Sequence, residues 1–296
     1  MLEIDLLDDY HQLLKEKLKQ RGVDAEGWSA QMCFIALFDN KSRQVPQQRY
    51  RVHISSELTE KLNAGVDYKE YLDAVIECFE EGRPIGPYLS TDVEKRPEKF
   101  DPFLIHWGLN HLHVVPPVLR KDGFYARKPT RWLFFKVKGD DVYFVDIRQH
   151  ETLEMCDIEL VAIMSRNWPE LLAYTETVGE GEHLTPGQVR LMRKRNAGHI
   201  VTTEHGDVIQ ENMPTCSGYS VRAVREFDVL KDELQRWQEY LLANYSKHVP
   251  KEVSSLSLVE VAGSANWVVE GRVGGTLYRV TLDGSSEWRF LPSSYL

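Results

Sequence analysis

The sequence predicts an α+β protein, a small antiparallel sheet flanked by helices and followed by a second α+β domain. Three observations carry that expectation. Apolar residues recur at helical spacing over 5–21, 68–81 and 221–245. Two β-rich runs, 131–137 and 142–147, are separated by Gly139-Asp140-Asp141, the usual composition of a hairpin. Three short strand-like segments with Gly-Ser or Gly-Gly turns fill 256–291.

The elements follow in order. Leu6, Leu7, Tyr10, Leu13, Leu14 and Leu18 form one apolar face, and Gly22 stops the helix. The apolar run 30–38 and the alternating stretch 49–54 read as a strand pair across the polar loop 39–48, with His53 on the solvated face. A helix over 68–81 ends at Gly82, and four prolines between 83 and 102 predict an extended loop. After the hairpin, 153–174 has helical spacing broken by Pro169. Residues 199–210 read as a second hairpin, and 221–245 as a long helix whose stripe includes Phe227, Leu234 and Leu241. The acidic step Gly179-Glu180-Gly181-Glu182, followed by Arg190, Arg193, Lys194 and Arg195, sets the expected domain boundary: 1–180 and 181–296.

Composition excludes several classes. The 296 residues are 42% hydrophobic and 27% charged, an ordinary globular balance. With 36 basic and 45 acidic residues the formal charge is −9, which argues against a surface that coats nucleic acid but leaves room for a local basic site. No apolar run is long enough to span a membrane, and the acidic start Met1-Leu2-Glu3-Ile4-Asp5 is unlike a signal peptide, so a cytoplasmic protein is expected. Cys33, Cys78, Cys156 and Cys216 form no CxxC pair and read as buried free thiols.

The segment richest in chemistry is 103–115, where three of the ten histidines, His106, His111 and His113, fall within eight residues. On a strand, His111 and His113 share one face, about 6.5 to 7 Å apart along the chain. Trp107-Gly108 can bend His106 towards them, and His150 at the end of the hairpin is a fourth candidate. Imidazoles near neutrality can divide the roles of base and acid, as RNA cleavage through the 2′-hydroxyl requires, with no cofactor. The basic loop supplies Arg127 and Lys128, while Arg131, Arg148 and Trp132 would meet phosphates or stacked bases. An alternative is a metal-dependent hydrolase with His106, His111 and His113 completed by Asp146 or His150. It ranks lower because the chain lacks an HExxH helix.

The hairpin from Arg131 to His150, RWLFFKVKGDDVYFVDIRQH, resembles the last strands of RelE-type bacterial toxins, over about 109–151 only. That resemblance implies a small antiparallel sheet flanked by helices and a metal-independent endoribonuclease directed at messenger RNA. It would give Arg131 the phosphate contact and His150 the terminal catalytic position, with His111 and His113 on the neighbouring strand facing the same cleft. The chain departs from that family in its length, in the inserted loop 116–130 and in the helix that follows the hairpin. The run WGLNHLH at 107–113 also looks like segments of bacterial proteins without an assigned activity. The leading expectation is therefore a toxin-like endoribonuclease with RNA, and a protein partner such as an antitoxin, as its partners. The contrasting expectation is a non-enzymatic subunit of a bacterial defence or toxin–antitoxin assembly.

Overall fold

The computed structural model describes residues 3–125, 131–149, 158–175, 184–210, 214–248, 254–262, 266–273, 276–282 and 290–292. Helix α1 (Leu6–Gln20) is capped by the Asp5 carboxylate, which accepts from the Asp8 amide at 3.0 Å. Acidic residues in its first turn and lysines in its last oppose the helix dipole favourably. The run expected to be a strand is instead helix α2 (Ala30–Ser42). Its reason is local: Ala, Gln, Met and Leu are strong helix formers, and Ser29 Oγ accepts from the Met32 amide as an N-terminal cap does. Strand β1 (Arg51–Ile54) accordingly has no hairpin partner before it.

Helix α3 (Ser56–Asn63) forms where no element is expected, its Ser55 hydroxyl accepting from the Leu58 amide at 3.0 Å. Helix α4 (Lys69–Glu81) ends at Gly82, which takes the left-handed conformation at φ 73°. The proline-bearing stretch after it is not one extended loop. It holds a 3-10 turn at Gly86–Tyr88 and the short helix α5 (Asp92–Lys95), and it buries Ile85, Tyr88, Leu89 and Val93.

Helix α6 (Pro102–Trp107) places Pro102 in its first turn, is capped by Asp101, and stops at Gly108 (φ 64°), so the chain turns directly into β2 (Asn110–His113). The expected hairpin is present as β3 (Arg131–Lys138) and β4 (Asp141–Gln149). Then come α7 (Glu159–Asn167), a 3-10 turn beginning at Pro169, β5 (Ala173–Thr175), and α8 (Pro186–Lys194), which opens with a reciprocal Thr185–Gln188 capping box. The second expected hairpin is β6 (Ile200–Thr203) and β7 (Gly206–Ile209). The long helix is α9 (Val221–His248), and the described residues of the C-terminal segment form four strands where the sequence predicts three: β8 (Ser257–Ala262), β9 (Asn266–Val273), β10 (Thr276–Leu282) and β11 (Phe290–Pro292).

The chain is an α+β protein of two compact units, but the boundary is not near 180. One unit is residues 38–222, and the other joins 1–37 to 223–296. The physical reason lies in the apolar face of α1. Leu6, Tyr10, Leu14 and Leu18 share a core with Leu234 and Leu241 of α9 and with Leu258 and Val269 of the β11-β10-β9-β8 sheet. Backbone and side-chain bonds reinforce it: Leu6 N donates to Gln238 Oε1 at 2.9 Å, and Leu258 N to Asp9 Oδ2 at 2.8 Å. The acidic step 179–182 lies outside the described residues, and its composition marks no boundary when the two chain ends bury each other's apolar faces.

The 38–222 unit is organised by the sheet β1-β4-β3-β2, antiparallel except for β1 beside β4. Its hairpin is buried on both faces. Leu133, Phe135 and Phe144 lie in a core with Leu72, Val75 and Phe79 of α4. Trp132, Phe134 and Val145 lie in another with Phe103, Leu160 and Met164, closed by Val201 and Val208 of the β5-β7-β6 sheet. Such two-sided burial explains the nearly continuous apolar run of β3, where a one-sided strand would alternate. Phe135, fully buried and edge-on to Phe79 at 5.6 Å, is expected to cost about 3–5 kcal/mol when cut to alanine. Urea unfolding of F135A should show its midpoint falling accordingly, and an unchanged midpoint would contradict the two-sided core.

Candidate functional site

A pocket of about 310 Å³ opens in the 38–222 unit. Its wall includes Asp39 of α2 and Arg43 just past its end, Asp101 and Leu104 at the start of α6, Asn110 of β2, Lys136 of β3, and Ser220 and Arg222. Asp39 and Arg43 stand one helical turn apart, so the helical conformation of α2 is what puts both on the wall. Lys136 reaches it because β3 is central, and a side chain near its end is enclosed by neighbouring elements.

The charges here are unusually dry. Asp39, Arg43 and Lys136 are only 6%, 8% and 8% exposed. Burial pushes the Asp39 carboxyl up to about 7, against the pull of Arg222 and Arg43. Burial also lowers the Arg43 guanidinium from its ordinary value, although Asp101, Asp92, Glu98 and Asp39 oppose the shift. Arg43 Nη1 donates to the carbonyls of Lys99 at 2.9 Å and Arg96 at 3.4 Å, and Lys136 Nζ to that of Trp107 at 3.4 Å. Arg222 lies over the Phe38 ring at 5.7 Å. Asp39 Oδ2, by contrast, is buried and accepts no hydrogen bond.

Asp101 links this pocket to the histidine segment. Its carboxylate accepts from the Phe103 and Leu104 amides at 3.0 and 3.3 Å, and its Oδ2 lies 3.1 Å from His111 Nδ1. Burial raises its pKa, but His111, the Leu104 amide and Arg43 outweigh that and hold it below the usual carboxylate range. His111 and His113 share a face of β2 as the spacing predicts, pairing in register with Phe134 and Trp132. His106 sits on α6, where Gln210 Nε2 donates to its Nδ1 at 2.8 Å and to His199 Nδ1 at 3.0 Å. One amide nitrogen thus serves two imidazoles, each accepting at Nδ1 and so neutral, with its proton on Nε2. Burial, together with the Arg193 charge, pushes His106 down to about 3 and His199 to about 4.

The histidine cleft expected from sequence is not assembled among the described residues. The Arg131 guanidinium lies over the Tyr68 ring at 4.9 Å and 3.1 Å from Asp67, on the Leu133–Phe135 side of the sheet. His111 instead packs against Trp132 at 5.5 Å on the opposite side. The reason is the period of two, which turns Arg131 and Trp132 to opposite faces. His106 and His113 are 5% and 4% exposed, and Trp132 is a core side chain where a stacking platform would need an open ring. Arg148 is held by Asp146 at 2.7 Å, and Lys61 closes on the same carboxylate at 2.6 Å. His150, Arg127, Lys128 and Cys156 lie outside the described residues. Of the remaining cysteines Cys33 and Cys78 are buried as expected, and Cys216 is exposed.

The metal alternative is not assembled either. Asp146 is committed to Lys61 and Arg148, and among the described residues no three His, Cys, Asp or Glu side chains converge as a metal-ion set. Nor is any described helix long and apolar enough to cross a membrane. The pocket residues were missed because 30–48 read as strand and loop. Two signals could have found them: a carboxylate and a guanidinium spaced i, i+4 at 39 and 43, and a lysine at 136 inside an otherwise apolar strand.

No protein-family model matches the chain, and comparison with curated proteins and with solved structures finds no match.

Two pH dependences follow from the buried groups. His106 and His199 stay neutral in the folded chain, whereas the unfolded chain takes up protons near pH 6.5. Stability is therefore lost as pH falls from about 6.5 towards 4. Carboxylates held low, such as Asp101, contribute only below about pH 4. Denaturant titrations from pH 4 to 8 should show this decline in the native chain and a flatter profile in His106→Gln/His199→Gln. Asp39 acts in the opposite sense. Folded, it keeps its proton up to about 7, while unfolded it ionises near 3.8, so its contribution fades as pH rises between those values. Asp39→Asn should therefore gain stability relative to the native chain as pH rises from 4 to 8, and a constant difference would refute the assignment.

Proposed function

We propose that the 38–222 unit is a small-molecule-binding domain whose pocket takes a small organic or phosphate anion. The observation that carries this reading is the convergence of Arg43, Lys136 and Arg222 on one pocket of about 310 Å³, with two of the three cations almost wholly withdrawn from water. Burying a cation is costly, and backbone carbonyls on Arg43 and Lys136 together with the carboxylates around Arg43 offset that cost while both side chains still line the pocket wall. An anion in the pocket would add a further opposite charge, and in a dry site each charge-assisted bond is stronger than at the surface. The volume falls at the lower end of the range for small-molecule sites. Asp101 is engaged by His111 and the α6 amides, which leaves the balance of the wall cationic.

Isothermal titration with inorganic phosphate and with citrate tests the reading. Saturable binding of at least one anion is expected, accompanied by a rise in melting temperature. Lys136→Met and Arg222→Gln, checked as folded by calorimetry, should each weaken it by about tenfold or more, since a charge-assisted bond contributes roughly 1.5–3 kcal/mol. Binding that is undiminished in both variants would place the anion elsewhere and remove the proposal.

A further inference from the structure

The pocket has a second chemical character that an anion alone does not satisfy. Asp39 lines the same wall as the cations, is more than nine-tenths buried, and turns an oxygen, Oδ2, that accepts no hydrogen bond from the protein. A buried acceptor left unmatched costs free energy comparable to a lost hydrogen bond, and for a carboxylate more. The neighbouring groups do not discharge that cost. Arg43 spends an Nη1 nitrogen on the Lys99 and Arg96 carbonyls, and Asn40 next to Asp39 gives its side-chain amide to the Val93 carbonyl. Above about pH 7, where Asp39 is ionised, a plain oxyanion would meet the cations but be repelled by Asp39 and leave Oδ2 unpaired. There a ligand that brings its own donor completes the wall.

We infer that the pocket selects an oxyanion carrying a hydroxyl or amine close to its charged group, the oxyanion facing Lys136 and Arg222 and the donor facing Asp39 Oδ2. This rests on the anion-binding reading above and narrows its ligand class to hydroxy acids, amino acids and polyol phosphates. Sites built to hydrogen-bond a substrate donor discriminate strongly against analogues that lack it, because the site's own buried group is then left unpaired.

Matched pairs of probes test this at pH 8: malate against succinate, aspartate against succinate, and glycerol 3-phosphate against propyl phosphate. In the native chain the donor-bearing member of at least one pair should bind about tenfold or more tightly than its partner. Asp39→Asn and Asp39→Leu, both checked for folding by calorimetry, should bring that ratio close to one, with the plain member binding as tightly as in the native chain or more tightly once the Asp39 charge is gone. A native ratio near one in every pair overturns the inference while leaving anion binding intact. So does a ratio that survives in both variants. Failure of every probe to bind, phosphate and citrate included, would instead remove the anion reading and this inference together.

Discussion

Everything in the 38–222 unit depends on the burial of the β3–β4 hairpin on both faces. Leu133, Phe135 and Phe144 bind it to α4 on one side, while Trp132, Phe134 and Val145 bind it to α6, α7 and the small β5-β7-β6 sheet on the other. A sheet covered twice has no open face on which to display catalytic side chains. Polar groups on its strands are therefore forced either to its ends or into paired contacts within the layers, since an unpaired buried charge is too costly to keep. Asp146, almost fully enclosed, is satisfied by Lys61, Arg148 and the amide of Ile147. His106 and His199 each accept at Nδ1 from a single glutamine, which holds both as neutral rings. Lys136, near the end of β3, donates to the Trp107 carbonyl and lines the pocket wall.

The same constraint separates structural histidines from functional ones. Three imidazoles close in sequence suggest shared chemistry, but the structure gives each a different employment. His106 is a neutral acceptor, His111 the partner of the carboxylate that caps α6, and His113 a core residue in register with Trp132. Held this way they fix the turn from α6 into β2, and that turn sets Asp101, Leu104 and Asn110 along the pocket.

How much was legible depended on whether a signal was local. Period and punctuation were enough for α1, α4, α9 and both hairpins, because amphipathic spacing and glycine stops act within a few residues. The run 30–38 misled because a short apolar stretch has no period of its own to separate helix from strand, and the capping hydroxyl of Ser29 was the only nearby arbiter. That one reading hid the site, since Asp39 and Arg43 share a face only on a helix. The boundary near 180 misled for a different reason. Composition marks flexible chain, but which segments share a core is decided by contacts between α1, α9 and β8 that lie more than two hundred residues apart in sequence.

The sequence by itself determined the class of fold and the type and approximate extent of most elements, because backbone propensity, capping and apolar period are properties of neighbouring residues. It also determined which side chains carry charge. Only the tertiary structure decided which of those charges lose their water. The environment of Asp39 or His106 is set by distant segments closing over them, and the cost of desolvation, which gives these two groups their altered protonation, exists only once that closure has happened.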